Sequence, residues 1–588
     1  MSMHEIVYQP DGKRGRFSHN TNLLSAAREL GVDVNALCGG AGSCGKCVVK
    51  IVNGTDRINE PTLDEVEIIG SERLGEGYRL ACCASILGDV VVLVPKESRT
   101  GTQRLQSEGL NTTVKVQPFI WRKTEGKTTH VYHGETQIDV LEGEAPLHGF
   151  AVDIGSTKLA GYLMDLSTGE TLAVTTAMNP QIPYGEDIIS RLSYALQGRK
   201  EQETLHKVLV DGVNQLLREA CAEADTRTEN VYDIVFVGNT AMQHFLLDLD
   251  PQPLTYYPFT PENTASRDLY SSKFGIGNKN ARIHIPPLIA GFVGADCVSA
   301  IHATGIHKSE ELCFLMDIGT NTEIVVGNRD RMIACSCASG PAFEGAHIRH
   351  GMRAASGAIE GVWINPETLE HKIITISDSE ATGICGSGLI DLLSEMLKAG
   401  IIDSSGRFNQ ELKSSRIRKN GEIFGYVVAW EEDSGLNEDI VVSQLDVREL
   451  QKGKAAMFSG AHIVMNKFGV SPDEIKNVYM AGAFGTYINR ESALNIGMLP
   501  DFNLLDIEQV GNAAGTGARM TLLSRSAREE AKAIGENVEY VELATCPDYN
   551  QAYLDALMFP HMNLELFPRT TGRLQASNWV LGRVHQRR

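Results

Sequence analysis

Three cysteines lie close together in a loop that is too rich in glycine to be a helix or a strand. The loop reads Cys38-Gly-Gly-Ala-Gly-Ser-Cys44-Gly-Lys-Cys47, and the adjacent cysteines Cys82 and Cys83 follow later. Thiolates at this C-x5-C-x2-C spacing, with one distant cysteine, suit a [2Fe–2S] cluster. Structural zinc is the alternative, but zinc sites usually combine two separated CxxC or CxxH pairs. The spacing therefore favours an iron–sulfur cluster over zinc.

The fourth cluster ligand must be chosen from two neighbouring residues. Residues 78 to 82 are expected to form a strand, and neighbouring side chains on a strand point to opposite faces. Only one of Cys82 and Cys83 can therefore be a ligand, and the residues alone do not say which.

The elements around these cysteines predict a small mixed sheet. Strands are expected at 4–8, 16–18, 48–52, 78–82 and 90–94, with a helix from Leu23 capped at 20–22 and a short acidic helix at 62–69. This order resembles the β-grasp fold of plant- and adrenodoxin-type ferredoxins. The resemblance favours Cys82 as the fourth ligand and implies a [2Fe–2S] domain over residues 1–96.

Two similar glycine hairpins follow apolar strands in the rest of the chain. The first is Asp153-Ile-Gly155-Ser156-Thr157-Lys158, and the second is Asp317-Ile-Gly319-Thr320-Asn321-Thr322-Glu323. Such hairpins present backbone N–H groups and hydroxyls to a phosphate chain. An aspartate at the strand end can hold Mg²⁺, usually through water. Two such hairpins that face each other would hold a triphosphate across a cleft.

A second pair of glycine turns repeats in the same order. Gly238-Asn239-Thr240 follows the first hairpin, and Gly482-Ala483-Phe484-Gly485 follows the second. The repeated order indicates a duplicated domain, whose second copy contains an insertion around residues 400–450. The glycines of the second turn remove side chains where a flat adenosine could lie at a helix start.

This arrangement resembles the actin-like ATPase superfamily, whose fold is a duplicated ribonuclease-H-like α/β domain. The resemblance implies ATP and Mg²⁺ as cofactors, with lobes at 148–310 and 311–588. It makes Asp153 and Asp317 the catalytic candidates and Gly482–Gly485 the adenosine motif. No P-loop sequence is present. A sugar kinase would need a base, for which Asp296 is the one candidate, although such an aspartate is more often structural. Gly386-Ser-Gly388 resembles the start of a connecting helix, and close helix packing explains it equally well.

Length, composition and net charge limit the class of protein to which the chain can belong. The chain has 588 residues, 42% hydrophobic residues, a net charge of −20 and 12 cysteines. These values predict a globular multidomain protein of the cytoplasm that binds neither nucleic acid nor a membrane. The alternation of predicted strands and helices from residue 148 makes the expected fold class α/β multidomain. Residues 97–147 are expected to be a linker that lets the ferredoxin domain move. The tail from 566 is expected to be disordered or packed on a neighbour.

The combination of a ferredoxin domain and an actin-like ATPase resembles the reductive activators of corrinoid proteins. The resemblance implies ATP-dependent reduction of Co(II) to Co(I), supporting corrinoid-dependent methyl transfer. It also implies a corrinoid protein or methyltransferase as partner, an upstream electron donor and a homodimer. We expect the segment from Ser339 to Glu344 to form an exposed loop at the cleft rim, with Ser339 nearest the cobalt.

Two other functions fit the same residues. One is an ATP-dependent electron donor to another low-potential enzyme, as in the dehydratase activators, although that family carries one cluster between two subunits. The other is a non-enzymatic ferredoxin fused to a nucleotide-sensing module. Stimulation of ATP turnover by a corrinoid partner would separate the proposed activator from the binding module.

Overall fold

A computed structural model describes residues 3–10, 12–32, 34, 42, 45, 47–95, 98, 110, 114–143, 145–482 and 485–582 of the chain. In the part of the chain covered by these ranges, no helix has the length and apolar character needed to cross a membrane. The described residues form six sheets, of which three carry the candidate sites.

The N-terminal domain is a five-stranded mixed sheet with three short helices. Its elements are β1 (Met3–Gln9), β2 (Lys13–Ser18), α1 (Leu23–Glu29), β3 (Val48–Asn53), α2 (Leu63–Ile69), α3 (Ser71–Gly75), β4 (Tyr78–Leu80) and β5 (Val90–Leu93). The strand order is β2-β1-β5-β3-β4, with β1 and β5 parallel. Asn22 caps α1 by accepting a hydrogen bond from the Ser25 amide, as the sequence predicts.

The segment after β4 is a helical turn, which corrects the expected strand through Cys82. The amides of Cys83 and Ala84 both donate to the carbonyl of Leu80. Strand alternation therefore does not apply to Cys82 and Cys83, whose sulfurs are 3.7 Å apart. The choice between the two cysteines depends on which sulfur lies nearer the other ligands.

A three-stranded antiparallel sheet replaces the structureless tether expected before residue 147. It consists of β6 (Ile120–Glu125), β7 (Thr128–His133) and β8 (Thr136–Glu142). Ile120 and Val131 are buried in a cluster that includes residues of the following lobe. The hydroxyl of Tyr232 also donates to Asp139 of this sheet, at 2.9 Å. Residues 120–142 are thus a folded part of the ATPase-like body.

The first lobe contains a six-stranded sheet in the order β11-β10-β9-β12-β14-β13. Its elements are β9 (His148–Ile154), β10 (Lys158–Asp165), β11 (Thr171–Met178), α4 (Ile188–Ala195), α5 (Arg199–Glu223), β12 (Val231–Gly238), α6 (Thr240–Leu247), β13 (Arg267–Tyr270), β14 (Arg282–Ile285) and α7 (Ala295–Thr304).

The second lobe contains a matching sheet in the order β25-β24-β15-β16-β17-β26. Its elements are β15 (Cys313–Ile318), β16 (Thr322–Gly327), β17 (Met332–Cys337), β18 (Ala358–Ile364), β19 (His371–Thr375), β20 (Gly383–Ile384), α8 (Gly386–Lys398), β21 (Ile417–Asn420), β22 (Ile423–Ala429), β23 (Ile440–Ser443), α9 (Gln444–Phe468), β24 (Asn477–Ala481), α10 (Arg490–Asn495), β25 (Ile507–Gly511), α11 (Ala513–Leu523), α12 (Arg525–Asn537), β26 (Val538–Tyr540), α13 (Tyr549–Asp555) and α14 (Pro568–Gln575).

The two sheets confirm the duplication over five of their six strands, whereas β13 and β26 lie at non-equivalent edges. In the first lobe, β9 pairs antiparallel with β10 and parallel with β12. In the second, β15 pairs antiparallel with β16 and parallel with β24. The strand β17 continues the second sheet beyond β16, as β11 continues the first beyond β10. Each phosphate-type hairpin therefore connects the first two strands of its sheet.

Two helices that are far apart in the sequence, α7 and α11, pack together between the sheets. Residues of α11 are buried with the first-lobe sheet, although α11 follows the second-lobe strands in the sequence. Residues of α7 share a core with β15, β16 and β17 of the second lobe. Gly517 of α11 lies against α7, where a Cβ would stand 2.2 Å from the Ser299 carbonyl oxygen. Each lobe thus contributes a helix to the core that adjoins the other lobe's sheet.

The insertion and the tail are both folded. The antiparallel sheet of β21, β22 and β23 occupies residues 417–443, within the range expected for the insertion. The tail expectation needs correction, because α14 packs on the second lobe. The Thr570 amide and hydroxyl both donate to Asp501, and the Arg569 amide does so at 2.7 Å.

Candidate functional site

Two of the predicted cluster cysteines meet in the N-terminal domain. The Cys47 and Cys82 sulfurs are 3.4 Å apart and are not joined in a disulfide. Cys47 is buried, and Cys82 is partly buried. The hydrogen bond with Cys47 and burial raise the pKa of the Cys82 thiol, because a second thiolate beside the first is strongly disfavoured. A metal that takes up thiolate charge would remove this penalty, so these residues fit a metal-bound cluster.

The remaining predicted ligands, Cys38 and Cys44, lie outside the described residues. Cys83 comes within 3.7 Å of Cys82, and a Cβ at Gly42 would lie 3.2 Å from its sulfur. The contact with Cys47 is made by Cys82. This geometry supports Cys82 as the ligand, on a physical basis different from strand alternation.

A buried ion pair positions the turn that carries Cys82. Arg79 donates from Nε and Nη2 to both carboxylate oxygens of Glu65, each at 2.8 Å. Glu65 also accepts from the Leu80 amide at 2.9 Å, and Arg79 donates to the Asn59 carbonyl. Burial opposes ionisation of Glu65, but the hydrogen bonds from Arg79 outweigh it and hold the pKa of Glu65 below its ordinary value. Helix α2 is thereby fixed to β4.

The two phosphate-type hairpins face each other across a cleft between the lobes. The Thr157 and Thr320 hydroxyl oxygens, one from each hairpin, are 3.1 Å apart. Gly155, Ser156, Lys158, Gly319 and Asn321 also line the cleft. Residues of both lobes thus line one continuous cleft, and a ligand bound there would contact both hairpins.

Glu344 links the two hairpins in this structure. Thr157 donates to Oε2 of Glu344 at 2.9 Å, and Thr320 donates to Oε1 at 2.5 Å. Burial lowers the pKa of Lys158, and the attraction of Glu344 partly offsets this effect. A carboxylate thus occupies an environment of hydroxyl donors and a buried cation, which would equally suit a phosphate.

One buried carboxylate, Glu323, and three partly buried ones gather at the base of the cleft. Burial raises the pKa of Asp153 to about 6. Burial together with repulsion from Asp153 raises the pKa of Asp296 to about 7. Burial and repulsion from Asp296 and Asp153 raise the pKa of Asp317 to about 8, and similar causes raise that of Glu323 well above its ordinary value. Oxygen ligands that repel each other in this way fit a divalent cation such as Mg²⁺.

Neighbouring side chains hold the first hairpin in place. Arg191 is fully buried and donates to the Ser156 carbonyl at 2.5 Å. Asn239 donates to the Ser156 hydroxyl at 3.0 Å, and Asn179 donates to the Gly155 carbonyl at 2.8 Å. Asn512 donates to Oδ2 of Asp153 at 2.8 Å. The hairpin is therefore fixed through both its backbone and its side chains.

The predicted adenosine turn is described in part. Gly482 lines the cleft at φ +93°, and a Cβ there would stand 2.4 Å from the Ile318 carbonyl oxygen and 2.8 Å from Oδ1 of Asp317. Only glycine fits this conformation and this close approach. Ala483 and Phe484 lie outside the described residues. Gly485 begins the short turn that carries Tyr487 into the cleft.

Ser339 is buried, which corrects the expectation of an exposed rim residue. It is 4% exposed, and its hydroxyl lies 2.8 Å from that of Thr322. The same oxygen approaches the carbonyls of Gly319 and Thr320 at 3.2 and 3.3 Å. In this conformation Ser339 fixes the second hairpin and is not accessible to a corrinoid.

Several cleft residues were missed or set aside from the sequence. Asp296 lies two residues after Gly294, where a structural turn aspartate is common, yet it faces the cleft with Asp153 and Asp317. Glu344 and Asn512 lie in no recognisable motif. Gly386 and Ser387 line the cleft at the start of α8, while a Cβ at Gly388 would stand 2.2 Å from the Ile359 carbonyl oxygen. That segment therefore both lines the site and packs closely.

Three family models match successive parts of the chain. A model described as "2Fe-2S iron-sulfur cluster binding domain" matches residues 8–87. One described as "RACo middle region" matches residues 148–309. One described as "C-terminal domain of RACo the ASKHA domain" matches residues 311–571.

Individual relatives match over most of the chain. The "Corrinoid activation enzyme RamQ" of Eubacterium limosum is 29% identical, covering 92% of this chain and 97% of the relative. The "[Co(II) methylated amine-specific corrinoid protein] reductase" of Methanosarcina barkeri is 26% identical, and the match covers 70% of this chain and 77% of the relative. A solved structure titled "Reductive activator for corrinoid,iron-sulfur protein" is 32% identical at a TM-score of 0.72, covering 96% of this chain and all of that one. Because that solved activator is 32% identical and the match covers 96% of this chain, the chain belongs to the family of reductive activators of corrinoid proteins.

Proposed function

We propose that the protein reduces an inactive Co(II) corrinoid protein to Co(I), using one electron from a [2Fe–2S] cluster and coupling the reduction to ATP hydrolysis. Cys38, Cys44, Cys47 and Cys82 would hold the cluster. When bound, the cluster supplies single electrons at low potential. Each reduction converts Co(II) to Co(I) and leaves the cluster oxidised by one electron, which an upstream donor replaces.

The observation that carries the ATP-dependent part is the meeting of the two duplicated hairpins at Thr157 and Thr320. Hydroxyls from both lobes converge there, where they would donate to the oxygens of a triphosphate. Asp153, Asp296 and Asp317 would hold Mg²⁺ beside it, mostly through water. Binding between the lobes would let the nucleotide change their relative position.

Energetics explain why a nucleotide site accompanies a cluster. Plant-type [2Fe–2S] ferredoxins have potentials near about −400 mV. A corrinoid Co(II)/Co(I) couple is more reducing, and each deficit of about 59 mV is a tenfold unfavourable equilibrium for one electron. A nucleotide can shift this equilibrium only through differential affinity for two states of the complex. Opening and closing of the cleft between the lobes would provide two such states.

The test is a spectroscopic assay with the reduced, cluster-loaded protein, a Co(II) corrinoid protein and Mg-ATP. We expect the Co(I) absorbance band to appear with ATP and to be much weaker without it. Asp317→Asn should suppress the ATP-dependent part, whereas Asp330→Asn, an exposed aspartate of the same lobe, should leave it unchanged. Equal Co(I) formation with and without nucleotide, or zinc in place of iron in the isolated protein, would exclude the proposal.

A further inference from the structure

Two histidines and a glutamate form a cluster at the end of α7 that lies farthest from the cleft. His302 is in the last turn of α7, His307 is in the short turn that follows, and Glu530 belongs to α12. One ligand atom from each residue lies within 4.8 Å of the other two. The two imidazole rings are 5.4 Å apart and inclined by 62°.

The histidine nitrogens in this cluster have an unusual lack of partners. His302 is 2% exposed, and its Nδ1 has no hydrogen-bond partner. Both ring nitrogens of His307 are buried and neither makes a hydrogen bond, although Nε2 lies 3.6 Å from Glu530 Oε2. Leaving such buried polar atoms unpaired costs free energy. In a neutral imidazole one ring nitrogen carries a lone pair, so a metal ion would satisfy one nitrogen of each histidine.

Glu530 supplies the negative charge. Its Oε2 lies 2.9 Å from His302 Nε2 and 3.6 Å from His307 Nε2. The same oxygen accepts a hydrogen bond from Lys308 at 2.8 Å. Lys308 is 62% exposed, so this ion pair is weak and Lys308 can turn into solvent. The carboxylate is therefore available to a stronger cation.

We propose that His302, His307 and Glu530 form a binding site for a divalent transition-metal ion, with Zn²⁺ as the best fit. Two imidazole nitrogens and one carboxylate oxygen are a ligand set that Zn²⁺ accepts, leaving a fourth position for water. Zn–N and Zn–O distances of about 2.0–2.2 Å place tetrahedral ligand atoms about 3.3–3.5 Å apart, so small side-chain rotations would bring the three atoms to these separations. Mg²⁺ and Ca²⁺ prefer oxygen ligands and do not suit the imidazoles.

A metal here would join α7 to α12 and so affect the helices that border the cleft. Helix α7 begins beside Asp296 at the base of the cleft and ends at this site. Helix α12 follows α11, whose capping residue Asn512 holds Asp153. The proposed ion would therefore stabilise the packing on which both aspartates depend, without contact with the nucleotide.

Zinc binding to the cluster-loaded full-length protein tests the proposal, by competition with a chromophoric zinc chelator. We expect wild type to bind one more equivalent of Zn²⁺ than either His307→Gln or Glu530→Gln. Lys308→Ala should bind Zn²⁺ more tightly than wild type, because it removes the cation that competes for Oε2. His206→Gln, which alters a partly buried histidine elsewhere in the first lobe, should bind as wild type does.

Thermal unfolding gives a second measurement that does not depend on activity. Added Zn²⁺ should raise the unfolding temperature of wild type and of Lys308→Ala, but not that of His307→Gln. Circular dichroism and cluster absorbance check that each variant is folded. Equal zinc stoichiometry in wild type, His307→Gln and Glu530→Gln would overturn the proposal, as would the absence of any effect of Lys308→Ala.

Discussion

Single side chains fix the position of the cluster ligand Cys82. The pair between Arg79 and Glu65 is almost inaccessible to solvent, with side chains 4% and 0% exposed. Its two carboxylate oxygens accept from the Arg79 side chain and from the Leu80 amide, two residues before Cys82. A change in either partner therefore acts on the cluster through the backbone.

We predict that Glu65→Ala lowers the free energy of unfolding of the ferredoxin domain by about 3–5 kcal/mol, because it leaves the Arg79 charge buried and unpaired. Denaturant unfolding followed by cluster absorbance measures this loss. Glu310→Ala removes an exposed pair with Arg329 and should change stability by no more than about 1 kcal/mol. The pair's contribution is present above the unfolded pKa of Glu65 and is lost as pH falls through its lower folded pKa. Similar effects of the two substitutions would contradict this account.

Ionisation of the cleft carboxylates changes the free energy of unfolding with pH in the direction opposite to that of Glu65. Asp317 has a pKa of about 8 in the folded protein, against an ordinary value of 3.8. The folded state therefore holds a proton that the unfolded state has lost, so stability without metal falls as pH rises between these values.

We predict that Mg²⁺ raises the unfolding midpoint more at pH 8 than at pH 6. Mg²⁺ binds the ionised carboxylates and must displace their protons at the lower pH, which costs up to about tenfold in affinity per pH unit for each proton. Thermal unfolding with and without MgCl₂ at both pH values measures the difference. Asp317→Asn should reduce the pH dependence of this shift. A Mg²⁺ effect that is the same at pH 6 and pH 8 would show that Asp317 does not bind the ion.

At the scale of elements, the two hairpins work with the segment that follows β17. The Ser339 hydroxyl contacts that of Thr322 in the second hairpin, and Glu344 accepts hydrogen bonds from both hairpins. A few residues later, His347 contacts Glu186 of the first lobe at 3.1 Å. This segment therefore reaches from the second lobe to the first, beside the space for the nucleotide phosphates.

We predict that Glu344→Gln binds a non-hydrolysable ATP analogue about tenfold more tightly than wild type. The carboxylate uses the Thr157 and Thr320 hydroxyls and would repel a triphosphate, and one charge-assisted hydrogen bond is worth about 1.5 kcal/mol or more. Calorimetry in the presence of Mg²⁺ measures the affinity. Glu367→Gln, an exposed acid on the same lobe, is the matched control. Unchanged or weaker binding by Glu344→Gln would mean that Glu344 does not compete with the phosphates.

At the scale of the whole molecule, α7 and α11 connect the lobes. Helix α7 carries Asp296 and α11 is capped by Asn512, so their separation affects the spacing of the cleft aspartates. Gly517 permits their close approach, because any Cβ would overlap the backbone of Ser299. The backbone atoms on both sides leave no flexible group to move aside.

We predict that Gly517→Ala destabilises the ATPase-like body by about 1–3 kcal/mol through overpacking, and that it also weakens nucleotide binding. Gly572→Ala in α14 is the control, since a Cβ there would meet no atom within 4 Å. The free energy of unfolding of that control should rise by about 0.4–1 kcal/mol, because alanine makes the unfolded chain less flexible than glycine does. Denaturant unfolding and analogue binding measure both variants. Equal stability of the two proteins would show that the helices separate without cost.

The sequence by itself determined the features that depend on neighbouring residues. Cysteine spacing predicted the cluster loop, and the repeated Asp-x-Gly hairpins predicted two similar lobes. Both are short-range patterns, because a tight loop and a strand-turn-strand hairpin require particular residues at fixed separations. The strand positions of the ferredoxin domain followed for the same reason, apart from the end of β4, where backbone hydrogen bonds to Leu80 make a turn.

Only the tertiary structure decided which distant residues complete the sites. Asn512 reaches Asp153 across 359 residues of sequence, and Glu344 reaches Thr157 across 187. It also showed that Ser339 is buried and that residues 120–142 are a sheet packed on the first lobe. Such contacts arise from the packing of two lobes and their crossed helices. No local pattern encodes them, because each side chain's role depends on a partner that the chain brings near only when it folds.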